Sequence, residues 1–594
     1  MTDLAADPPV SLAEATATLT APGQLFEIDE VVIRDVPTRV WRNAPPTLRA
    51  ILELSLGHGD ADFIVYEDER TTFAGHFRAA ATFARRLVED FDVVRGDRVA
   101  IAMRNLPEWV TAYWATTAIG AVVVPLNAWW TGEELAYGLV DSGSVVAVAD
   151  VERRERLLPH LSELPDLRVL VVANEHRGEP VADDRAGGTA VRAWTEVLGE
   201  VPDDAALPEA ELHPDEDASI LYTSGTTGHP KGAVGSHRNL CTNLMNIYFV
   251  SSRATLRFGE GGRMGPVGGR PAILLSVPLF HATGCLSIMM TNLAAGGKLV
   301  MMHHFDPERA LELIERERIT TFGGVPTMVM QVLDSPDFDK RDTSSVTGIS
   351  YGGAPAPTDL VRRIREHFPT GQPGNGYGLT ETSSLTSMIN GPDYVDKPDS
   401  VGPPVPVTDV AVVDEDFTGD EPDPDRPQGP TVTGELWIRG PQVVRGYWGR
   451  AEESAQVITK GWLHTGDVAR LDDEGFIYIV DRAKDVIIRG GENIYSVEVE
   501  DALFTHPAVA DCAVIGVPDP VLGEGVGAVV VLRRGTKVGG DELAAHVREH
   551  LAAYNVPSKF WFVDEPLPRN PAGKVLKRAL RDRLLGARQQ GAPQ

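Results

Sequence analysis

The segment LYTSGTTGHPKG, residues 221–232, has the residue types of a loop that binds a polyphosphate. Its glycines Gly225 and Gly228 allow backbone angles that turn amide groups toward an anion, and Lys231 adds a positive charge. Four hydroxyl groups can donate further hydrogen bonds: Thr223, Ser224, Thr226 and Thr227. The segment is not a Walker A loop, because Lys231 follows Pro230 and precedes a glycine. Considered alone, it could bind phosphate or form a flexible polar turn.

Further motifs follow this loop along the chain. They are PLFH at 278–281, GYGLTET at 376–382, GELWIRGP at 434–441, HTGD at 464–467, DRAKDVIIRGGENIYSVEVE at 481–500 and PRNPAGK at 568–574. In this order, together with YTSGTTGHPKG, they resemble the adenylate-forming superfamily, which includes acyl-CoA synthetases, luciferases and adenylation domains. The resemblance extends over roughly residues 50–590 and is strongest to bacterial fatty-acid CoA ligases.

The resemblance implies an acid–thiol ligase that uses ATP, Mg²⁺ and coenzyme A (CoA). A carboxylic acid, expected to be a fatty acid, would react with ATP to give acyl-AMP and pyrophosphate, and CoA would then take the acyl group and release AMP. In the first step, an anionic carboxylate attacks the anionic α-phosphate of ATP. Cations around the transferring phosphate therefore lower the activation barrier of this step.

The family pattern gives this chemistry to three residues of the sequence. Glu381 would bind magnesium, Thr380 would contact phosphate, and Lys574 would contact the attacking carboxylate and the bridging oxygen. Without the motifs, Thr380 and Glu381 would suit a helix cap, and Lys574 would suit a solvated surface.

The resemblance also implies a nucleotide pocket. Asp467 would accept hydrogen bonds from both ribose hydroxyls, Arg482 would add a second ribose contact, and the Tyr377 ring would stack on the adenine. The other pocket positions are Gly353, Ala354, Pro355, Asn375, Gly376 and Gly378. Outside the family pattern, Asp467 would suit an ordinary turn and Arg482 an exposed position at a linker.

Lys484 corresponds to the family's hinge, about which the small domain is expected to rotate between the two half-reactions. In one orientation, Lys574 enters the site. In the other, the segment that contains Gly490 and Gly491 faces the site, and a thiol acceptor approaches.

The acyl group must be inferred from residues around PLFH. His281 is assigned to substrate binding, against the alternative of a hydrogen-bonded core histidine. The segment 280–282 offers no carboxylate for a substrate ammonium group, which favours a neutral, apolar acyl group. Gly323 and Gly352 lack side chains, which predicts a roomy pocket. Fatty acids and aryl acids both suit these residues, so an aryl-CoA ligase is an alternative.

The surrounding pattern predicts the elements that position these residues. From Arg98, a short apolar run, a helical stretch and a β-branched run ending at Pro125 form a βαβ alternation, which predicts an α/β fold with mostly parallel sheets. We expect a lead-in at 1–45, a large multi-subdomain N-terminal AMP-binding domain at 46–481, and a small mobile α+β C-terminal domain at 482–594. The polar segments 175–217 and 414–433 are predicted to be solvated loops.

The resemblance implies that the partners are a small-molecule acid and CoA, and composition disfavours two other classes of partner. The 594 residues carry a formal net charge of −30, which disfavours nucleic acid and anionic lipid. No run approaches the ~20 apolar residues that span a bilayer, and the N-terminus lacks a signal-peptide pattern, so we expect a cytoplasmic protein without stable membrane insertion. The three cysteines form no CxxC pair and are expected to be free thiols. A homodimer is compatible with the sequence.

Two other functions are open at this point. An acyl-AMP ligase would load a separate carrier protein instead of CoA, and the acidic insertion near Asp414 keeps this alternative, because such enzymes carry an insertion that restrains the hinge. A catalytically inert nucleotide-binding relative is disfavoured by the joint presence of four residues, Lys231, Glu381, Asp467 and Lys574.

Overall fold

Strands alternate with helices along most of the chain. The computed structural model describes residues 10–173, 184–186, 188–223, 229–263, 265, 269–414, 417, 419, 421–422, 432–570 and 573–586. In this part, the strands are β1 (Ile28–Ile33), β2 (Val36–Trp41), β3 (Asp62–Tyr66), β4 (Glu69–Thr72), β5 (Arg98–Ala102), β6 (Val122–Pro125), β7 (Ser144–Asp150), β8 (Val169–Ala173), β9 (Asp184–Ala186), β10 (Thr189–Ala193), β11 (Asp217–Thr223), β12 (Lys231–Ser236), β13 (Ala272–Leu275), β14 (Lys298–Met301), β15 (Thr321–Gly324), β16 (Gly348–Gly352), β17 (Gln372–Tyr377), β18 (Ser387–Asn390), β19 (Asp409–Val413), β20 (Gly434–Arg439), β21 (Ile458–Thr459), β22 (Trp462–Leu471), β23 (Ile477–Arg482), β24 (Ile487–Arg489), β25 (Glu492–Ile494), β26 (Val509–Asp519), β27 (Gly523–Leu532) and β28 (Lys559–Phe562).

The helices follow the strands in the alternating order that the sequence predicts. They are α1 (Leu12–Leu19), α2 (Leu48–Ser55), α3 (Phe73–Glu89), α4 (Pro107–Ala118), α5 (Gly132–Ser142), α6 (Val151–Leu157), α7 (Trp194–Leu198), α8 (His237–Phe258), α9 (Met290–Ala294), α10 (Pro307–Glu317), α11 (Pro326–Leu333), α12 (Asp359–His367), α13 (Gly391–Asp396), α14 (Ala451–Val457), α15 (Ser496–Phe504), α16 (Gly540–His550) and α17 (Lys577–Gly586). Within the described residues, no helix is long and apolar enough to cross a membrane.

Local capping sets the helix boundaries, and α10 is a clear case. The Asp306 side chain accepts a hydrogen bond from the Arg309 backbone N at 2.8 Å, and Pro307 occupies the first turn. The helix ends at Arg318 in a left-handed conformation with φ of 50°. The sequence predicts a helix that begins at Asp306–Pro307 and is followed by a strand, and β15 confirms this prediction.

Two large sheets form the centre of the molecule. Their strand orders are β12-β11-β6-β5-β7-β8-β10-β9 and β18-β17-β16-β15-β13-β14-β3-β4. Neighbouring strands inside each sheet run parallel, and antiparallel pairs lie at the edges. All seven residues of β7 are buried, as expected for a strand covered by helices on both faces. The predicted α/β fold with mostly parallel sheets is therefore confirmed.

A third sheet leads into the small domain. Its order is β19-β20-β22-β21, and β23 pairs with the other edge of β22, so that Asp467 lies opposite Arg482. After the turn that follows Arg482, the sheet β25-β24-β27-β26, with β28 beside β27, packs against α15, α16 and α17. This arrangement gives the smaller C-terminal α+β unit that the short elements after Asp481 predict.

The lead-in packs on the rest of the molecule through aromatic residues. Phe26 and Trp41 are buried, and their rings lie 5.4 and 5.3 Å from the ring of Phe249 on α8. The Trp41 Nε1 atom donates a hydrogen bond to Asn246 Oδ1 at 2.8 Å. Burial of these rings holds the β1–β2 hairpin on the surface of α8.

The prediction of a solvated loop at 175–217 is wrong for part of that segment. β10 extends the first sheet beside β8, and α7 follows it directly. Trp194 is buried with its ring 4.6 Å from that of Phe83, because an isolated aromatic residue in a polar stretch can still anchor a short helix. Residues 174–183 and most of the segment 414–433 lie outside the described residues.

Candidate active site

The two ends of the predicted phosphate loop are fixed by an antiparallel strand pair. β11 ends at Thr223 and β12 begins at Lys231, and these two residues are partners in the register. The Thr223 Oγ1 atom donates to the Lys231 carbonyl at 3.4 Å. The remaining predicted residues of the loop lie outside the described part of the chain: Ser224, Gly225, Thr226, Thr227 and Gly228. The strands thus hold Lys231 at the base of the loop.

A segment that the sequence analysis missed joins Lys231 to Glu381. Lys231 forms an ion pair with Glu453, and its Nζ atom lies 5.4 Å from the centre of the Tyr447 ring. The Tyr447 hydroxyl donates to Glu381 Oε1 at 2.8 Å. Burial, and then the charge of Glu381, raises the pKa of this tyrosine, which keeps its proton available for donation. Tyr447 therefore connects the lysine of the phosphate loop to the predicted magnesium ligand.

Backbone pairing places Tyr447 in this position. The Gly446 carbonyl accepts a hydrogen bond from Val234 N at 3.0 Å, and Trp448 N donates to the Gly232 carbonyl at 2.8 Å. Residues 445–448 thus lie along β12 like a short additional strand. The sequence signal was the tyrosine that follows GELWIRGP, but its partner is far away along the chain.

Glu381 lies in a short helical turn, Thr380–Thr382, directly after β17. The capping role at this turn belongs to Thr382, whose Oγ1 accepts from Leu379 N at 2.8 Å. The side chain of Glu381 is therefore not used as a cap. In the described residues, no group of three or more His, Cys, Asp or Glu side chains is arranged to hold a metal by itself. A single carboxylate beside a lysine fits Mg²⁺ that arrives with a nucleotide, because phosphate oxygens and water complete its coordination.

The predicted ribose residues form one hydrogen-bonded group. Asp467 is buried, and its Oδ2 accepts from the Tyr377 hydroxyl at 2.7 Å while its Oδ1 pairs with Arg482 Nε at 2.7 Å. Asp467 lies within β22 rather than in an ordinary turn. Burial, and then the charge of Asp467, raises the pKa of Tyr377. The group presents a carboxylate, a phenol and a guanidinium together, a set that suits a vicinal diol next to a phosphate.

Lys574 is brought to the same group from the small domain. Lys574 N donates to Asn570 Oδ1 at 2.9 Å, and Asn570 N donates to the Lys574 carbonyl at 2.9 Å, which closes a tight arm. Burial lowers the pKa of Lys574 to about 8, and the charge of Arg482 acts in the same direction, whereas Asp467 opposes it. The charges of Arg482 and Asp467, the predicted ribose residues, thus both influence Lys574.

The arm approaches the large domain through a glycine that has little space around it. Gly573 has φ of 80°, and an added Cβ would lie 2.5 Å from Val325 Cγ2. Val325 precedes α11 and belongs to the large domain. The arm that carries Lys574 therefore lies against the large domain, and its role in adenylation stays a prediction.

His281 lies at the end of PLFH, in a loop held by Asn105. The Asn105 side chain donates to the Val277 carbonyl at 3.0 Å and accepts from Leu279 N at 2.9 Å. His281 Nε2 is buried and has no hydrogen-bond partner within the described residues, and burial lowers the pKa of the ring to about 4. A neutral histidine with an unused ring nitrogen suits a ligand contact better than the hydrogen-bonded core histidine considered above.

A π-helical turn, Thr283–Met289, follows His281. Such turns are rare and occur frequently at functional sites. Its side chains Cys285, Leu286 and Met289 are buried, and the Ser287 hydroxyl lies 2.6 Å from that of Ser384, just beyond the Glu381 turn. The turn connects the surroundings of His281 to those of Glu381.

Gly323 and Gly352, which were predicted to make the pocket roomy, lie where the neighbouring backbone leaves no space for a side chain. An added Cβ at Gly323 would lie 1.6 Å from the Ser350 carbonyl oxygen, and one at Gly352 would lie 2.3 Å from the Gly376 carbonyl oxygen. In both cases the obstacle is the backbone of the neighbouring strand. These glycines are required by the close approach of β15, β16 and β17, so their missing side chains are no evidence for a roomy pocket, and the size of the pocket stays a prediction.

The predicted adenine positions lie at the ends of β16 and β17. Gly353 has φ of 75° and open space on its Cβ side, and it is followed by Ala354 and by the exposed Pro355. Gly376 and Gly378 belong to the β17 edge and the turn after it; a Cβ at Gly378 would lie 1.4 Å from the Ser384 carbonyl oxygen. The Asn375 side chain, in contrast, is buried against the Tyr394 hydroxyl. Their roles toward adenine stay predictions.

The predicted hinge residue Lys484 and the glycine pair Gly490–Gly491 follow β23 and lie on the small-domain side. Lys484 is exposed in a turn closed by bonds from Asp485 N and Val486 N to the Arg482 carbonyl at 2.8 and 3.1 Å. Gly490 and Gly491, with φ of 63° and 93°, form the two-residue turn between β24 and β25. Gly490 N donates to Leu522 O at 2.8 Å, a contact within the small domain. Their predicted role near a thiol acceptor is not tested by this orientation.

Comparison with known proteins agrees with this geometry. The AMP-binding enzyme family model matches residues 55–448, and the model of the AMP-binding enzyme C-terminal domain matches residues 498–574. A feruloyl-CoA synthase from Amycolatopsis sp is 37% identical over 489 residues, 82% of this chain and 89% of that protein. A long-chain-fatty-acid–CoA ligase from Bacillus subtilis is 34% identical over 506 residues, 82% of this chain and 85% of that protein. The solved structure of the anthranilate CoA ligase AuaEII in complex with anthranoyl-AMP has a TM-score of 0.79 at 25% identity, covering 91% of this chain and 98% of that one. The chain therefore belongs to the AMP-binding enzyme family, within the adenylate-forming superfamily that its motifs resemble.

Proposed function

We propose that this chain is an AMP-forming acid–thiol ligase that converts a carboxylic acid, ATP and CoA into an acyl-CoA, AMP and pyrophosphate. The observation that carries the proposal is the contact of the Lys574 arm with the large domain at Val325, beside Gly573, together with the effect of Arg482 and Asp467 on the pKa of Lys574. It supports an assignment in which Lys574, from the small domain, acts at the ribose end of the site, and Lys231 and Glu381 act at the phosphate end. The names of the two curated relatives, both of them CoA ligases or synthases, support the same reaction class.

In the first half-reaction, a carboxylate oxygen of the acid attacks the α-phosphorus of ATP. A new oxygen–phosphorus bond forms, and the bond to the pyrophosphate oxygen breaks. Lys574 and Lys231 offset the negative charge that crowds between the two anions, and Asp467 and Arg482 orient the ribose. Glu381 would hold Mg²⁺, which supplies further positive charge to the phosphate oxygens when bound.

In the second half-reaction, the CoA thiolate attacks the acyl carbon of acyl-AMP, and AMP leaves as the carbon–oxygen bond breaks. Lys574 must withdraw to admit the thiol, so we propose that the small domain rotates about Lys484 between the two steps. The exposed turn at Lys484 can absorb such a change, and the Gly490–Gly491 turn is the small-domain segment assigned to the second orientation.

The acid is proposed to be neutral and apolar. Phe280 and Ala282 flank His281 without a carboxylate, and His281 itself is uncharged at neutral pH. The relatives' names include a long-chain aliphatic acid and an aromatic acid, so fatty and aryl acids both stay candidates. ATP–pyrophosphate exchange measured over acids of graded length and aromaticity separates the two.

The decisive experiment mixes the purified chain with ATP, Mg²⁺, CoA and a series of acids, and measures AMP, pyrophosphate and thioester. We expect thioester and AMP in equal amounts. Acyl-AMP without thioester at any CoA concentration would contradict the proposal and favour the acyl-AMP ligase that loads a carrier protein. A cytoplasmic location and a homodimer stay predictions.

A further inference from the structure

A buried polar network crosses the hinge. Asp481, in β23, is only 2% exposed, and its Oδ2 accepts hydrogen bonds from Ser496 N at 2.5 Å and Ser496 Oγ at 2.8 Å. Ser496 is the first residue of α15, and the residue before it provides no side-chain cap. The Asp481 carboxylate therefore caps α15 from the opposite side of the hinge turn.

Lys577 extends this network into the arm that carries Lys574. Its Nζ atom donates to Ser496 Oγ at 2.6 Å and pairs with Glu500 Oε1 at 2.7 Å. Burial lowers the pKa of Lys577, but Glu500 and then Asp481 outweigh this effect and raise the pKa overall. Because Lys577 opens α17 three residues after Lys574, a restraint on Lys577 also restrains the catalytic arm.

The members of the network belong to two sides of the hinge. Asp481 is fixed to the large domain, since β23 pairs with β22 and places Asp481 opposite Val468. Ser496, Glu500 and Lys577 all belong to the small domain. Rotation about the turn at Lys484 would separate Asp481 from the other three, whereas the pair of Lys577 with Glu500 would stay intact.

We propose that Asp481 and Lys577 are positioning residues for adenylation: joined through Ser496, they hold the small domain in the orientation that brings Lys574 to Asp467 and Arg482. The inference rests on the proposed two-step function. It adds that the network must open before the thioester step, so its strength sets the balance between the half-reactions. A hydrogen bond to a charged group shifts such a balance by about tenfold.

The test compares the half-reactions in Lys577→Met. ATP–pyrophosphate exchange reports adenylation, and thioester formation from supplied acyl-AMP and CoA reports the second step. We expect exchange to fall about tenfold while the second step stays within about twofold of the unmodified chain. The matched control is Arg581→Met, which removes a cation from the same helix whose partner, Glu524 at 3.3 Å, also lies in the small domain. The control should leave the ratio of the two rates unchanged.

Asp481→Ala gives the second, independent measurement, because it changes only the large-domain member of the network and leaves the pair of Lys577 with Glu500 in place. Asp481→Ala should reproduce the selective loss of ATP–pyrophosphate exchange. The conservative variant Lys577→Arg keeps the positive charge, so it should keep most of the exchange activity that Lys577→Met loses. Equal losses in both half-reactions for Lys577→Met and Asp481→Ala, or no loss of exchange in either, would overturn the proposal. Failure of the proposed function is distinguishable, because the unmodified chain would then form no thioester at all.

Discussion

Replacing Tyr447 with phenylalanine removes one hydroxyl and keeps the ring. In the structure this hydroxyl donates to Glu381 Oε1 at 2.8 Å, while the ring lies 5.4 Å from Lys231 Nζ. A hydrogen bond to a charged group contributes about 1.5–3 kcal/mol, and partners of metal ligands alter metal affinity by roughly 10–100-fold. We therefore expect the magnesium concentration that gives half-maximal adenylation to rise about tenfold in Tyr447→Phe, with a much smaller change in the KM for the acid.

The assay is ATP–pyrophosphate exchange across a magnesium titration at saturating ATP. The control is Tyr478→Phe, which removes a hydroxyl that donates to Asp472 Oδ2 at 3.0 Å, away from the phosphate residues. Because both changes delete one hydroxyl bonded to a carboxylate, a general loss of stability would affect them alike. An unchanged magnesium dependence in Tyr447→Phe, or an equal change in the control, would refute the reasoning that Tyr447 orients Glu381.

Three further outcomes follow from the geometry. Lys574→Ala should reduce adenylation by about 10²-fold or more while sparing thioester formation from supplied acyl-AMP; equal loss in both assays would contradict the two-orientation reaction. Because burial lowers the pKa of Lys574 to about 8, the charged form is lost as pH rises, so kcat/KM for the acid should fall above about pH 8. Lys574→Arg, which keeps its charge, should flatten that fall in a pH–rate profile. Gly323→Ala forces a Cβ to within 1.6 Å of the Ser350 carbonyl oxygen and should destabilise the fold by about 3 kcal/mol or more in denaturant unfolding, whereas Gly353→Ala, in open space with φ of 75°, should cost only about 1 kcal/mol.

The residues that the sequence identified are those carried by contiguous strings. Asp467 lies in HTGD and Arg482 lies in DRAKD, and these two motifs form adjacent strands. The antiparallel register of β22 and β23 then places the two residues opposite each other. Tyr447 could not be found in this way. The hydroxyl of Tyr447 contacts Glu381, which lies 66 positions earlier in the chain. This contact also depends on a backbone pairing with β12 that no local sequence pattern predicts.

The glycines show a second limit of sequence reasoning. A glycine in the sequence reports a missing side chain, and the natural inference is free space. At Gly323 and Gly352 the missing Cβ is instead demanded by carbonyl oxygens of the adjacent strands, at 1.6 and 2.3 Å from where it would stand. Only the distance between two backbones distinguishes these cases, and that distance is a property of the assembled sheet.

The polar insertion at 175–217 shows the same dependence on tertiary contacts. Its composition is typical of a solvated loop, and strand and helix propensities in it are weak. β10 forms because β8 offers an unpaired edge, and α7 stays in place because Trp194 finds Phe83. Tertiary packing thus overrides local preference at this edge of the sheet.

Strand β23 connects the nucleotide residues to the hinge network through the alternation of its side chains. Adjacent residues of a strand point to opposite faces, so Arg482 reaches Asp467 while Asp481 reaches Ser496 on α15. A slip of one residue would exchange the two faces, and the pairing of Asp467 with Arg482 prevents it. The same strand therefore contributes both to the predicted nucleotide site and to the contact that orients the small domain.

A bound ligand can shift that orientation only through interactions that differ between the two states. The charge of Lys574, which Arg482 disfavours and Asp467 favours, can provide such an interaction. Under the proposed reaction, the negative charge of ATP would stabilise the protonated form of Lys574, and the departure of pyrophosphate would remove most of that charge. Under the proposed reaction, the loss of pyrophosphate thus weakens the hold on Lys574, and the network of Asp481 and Lys577 is what must then open.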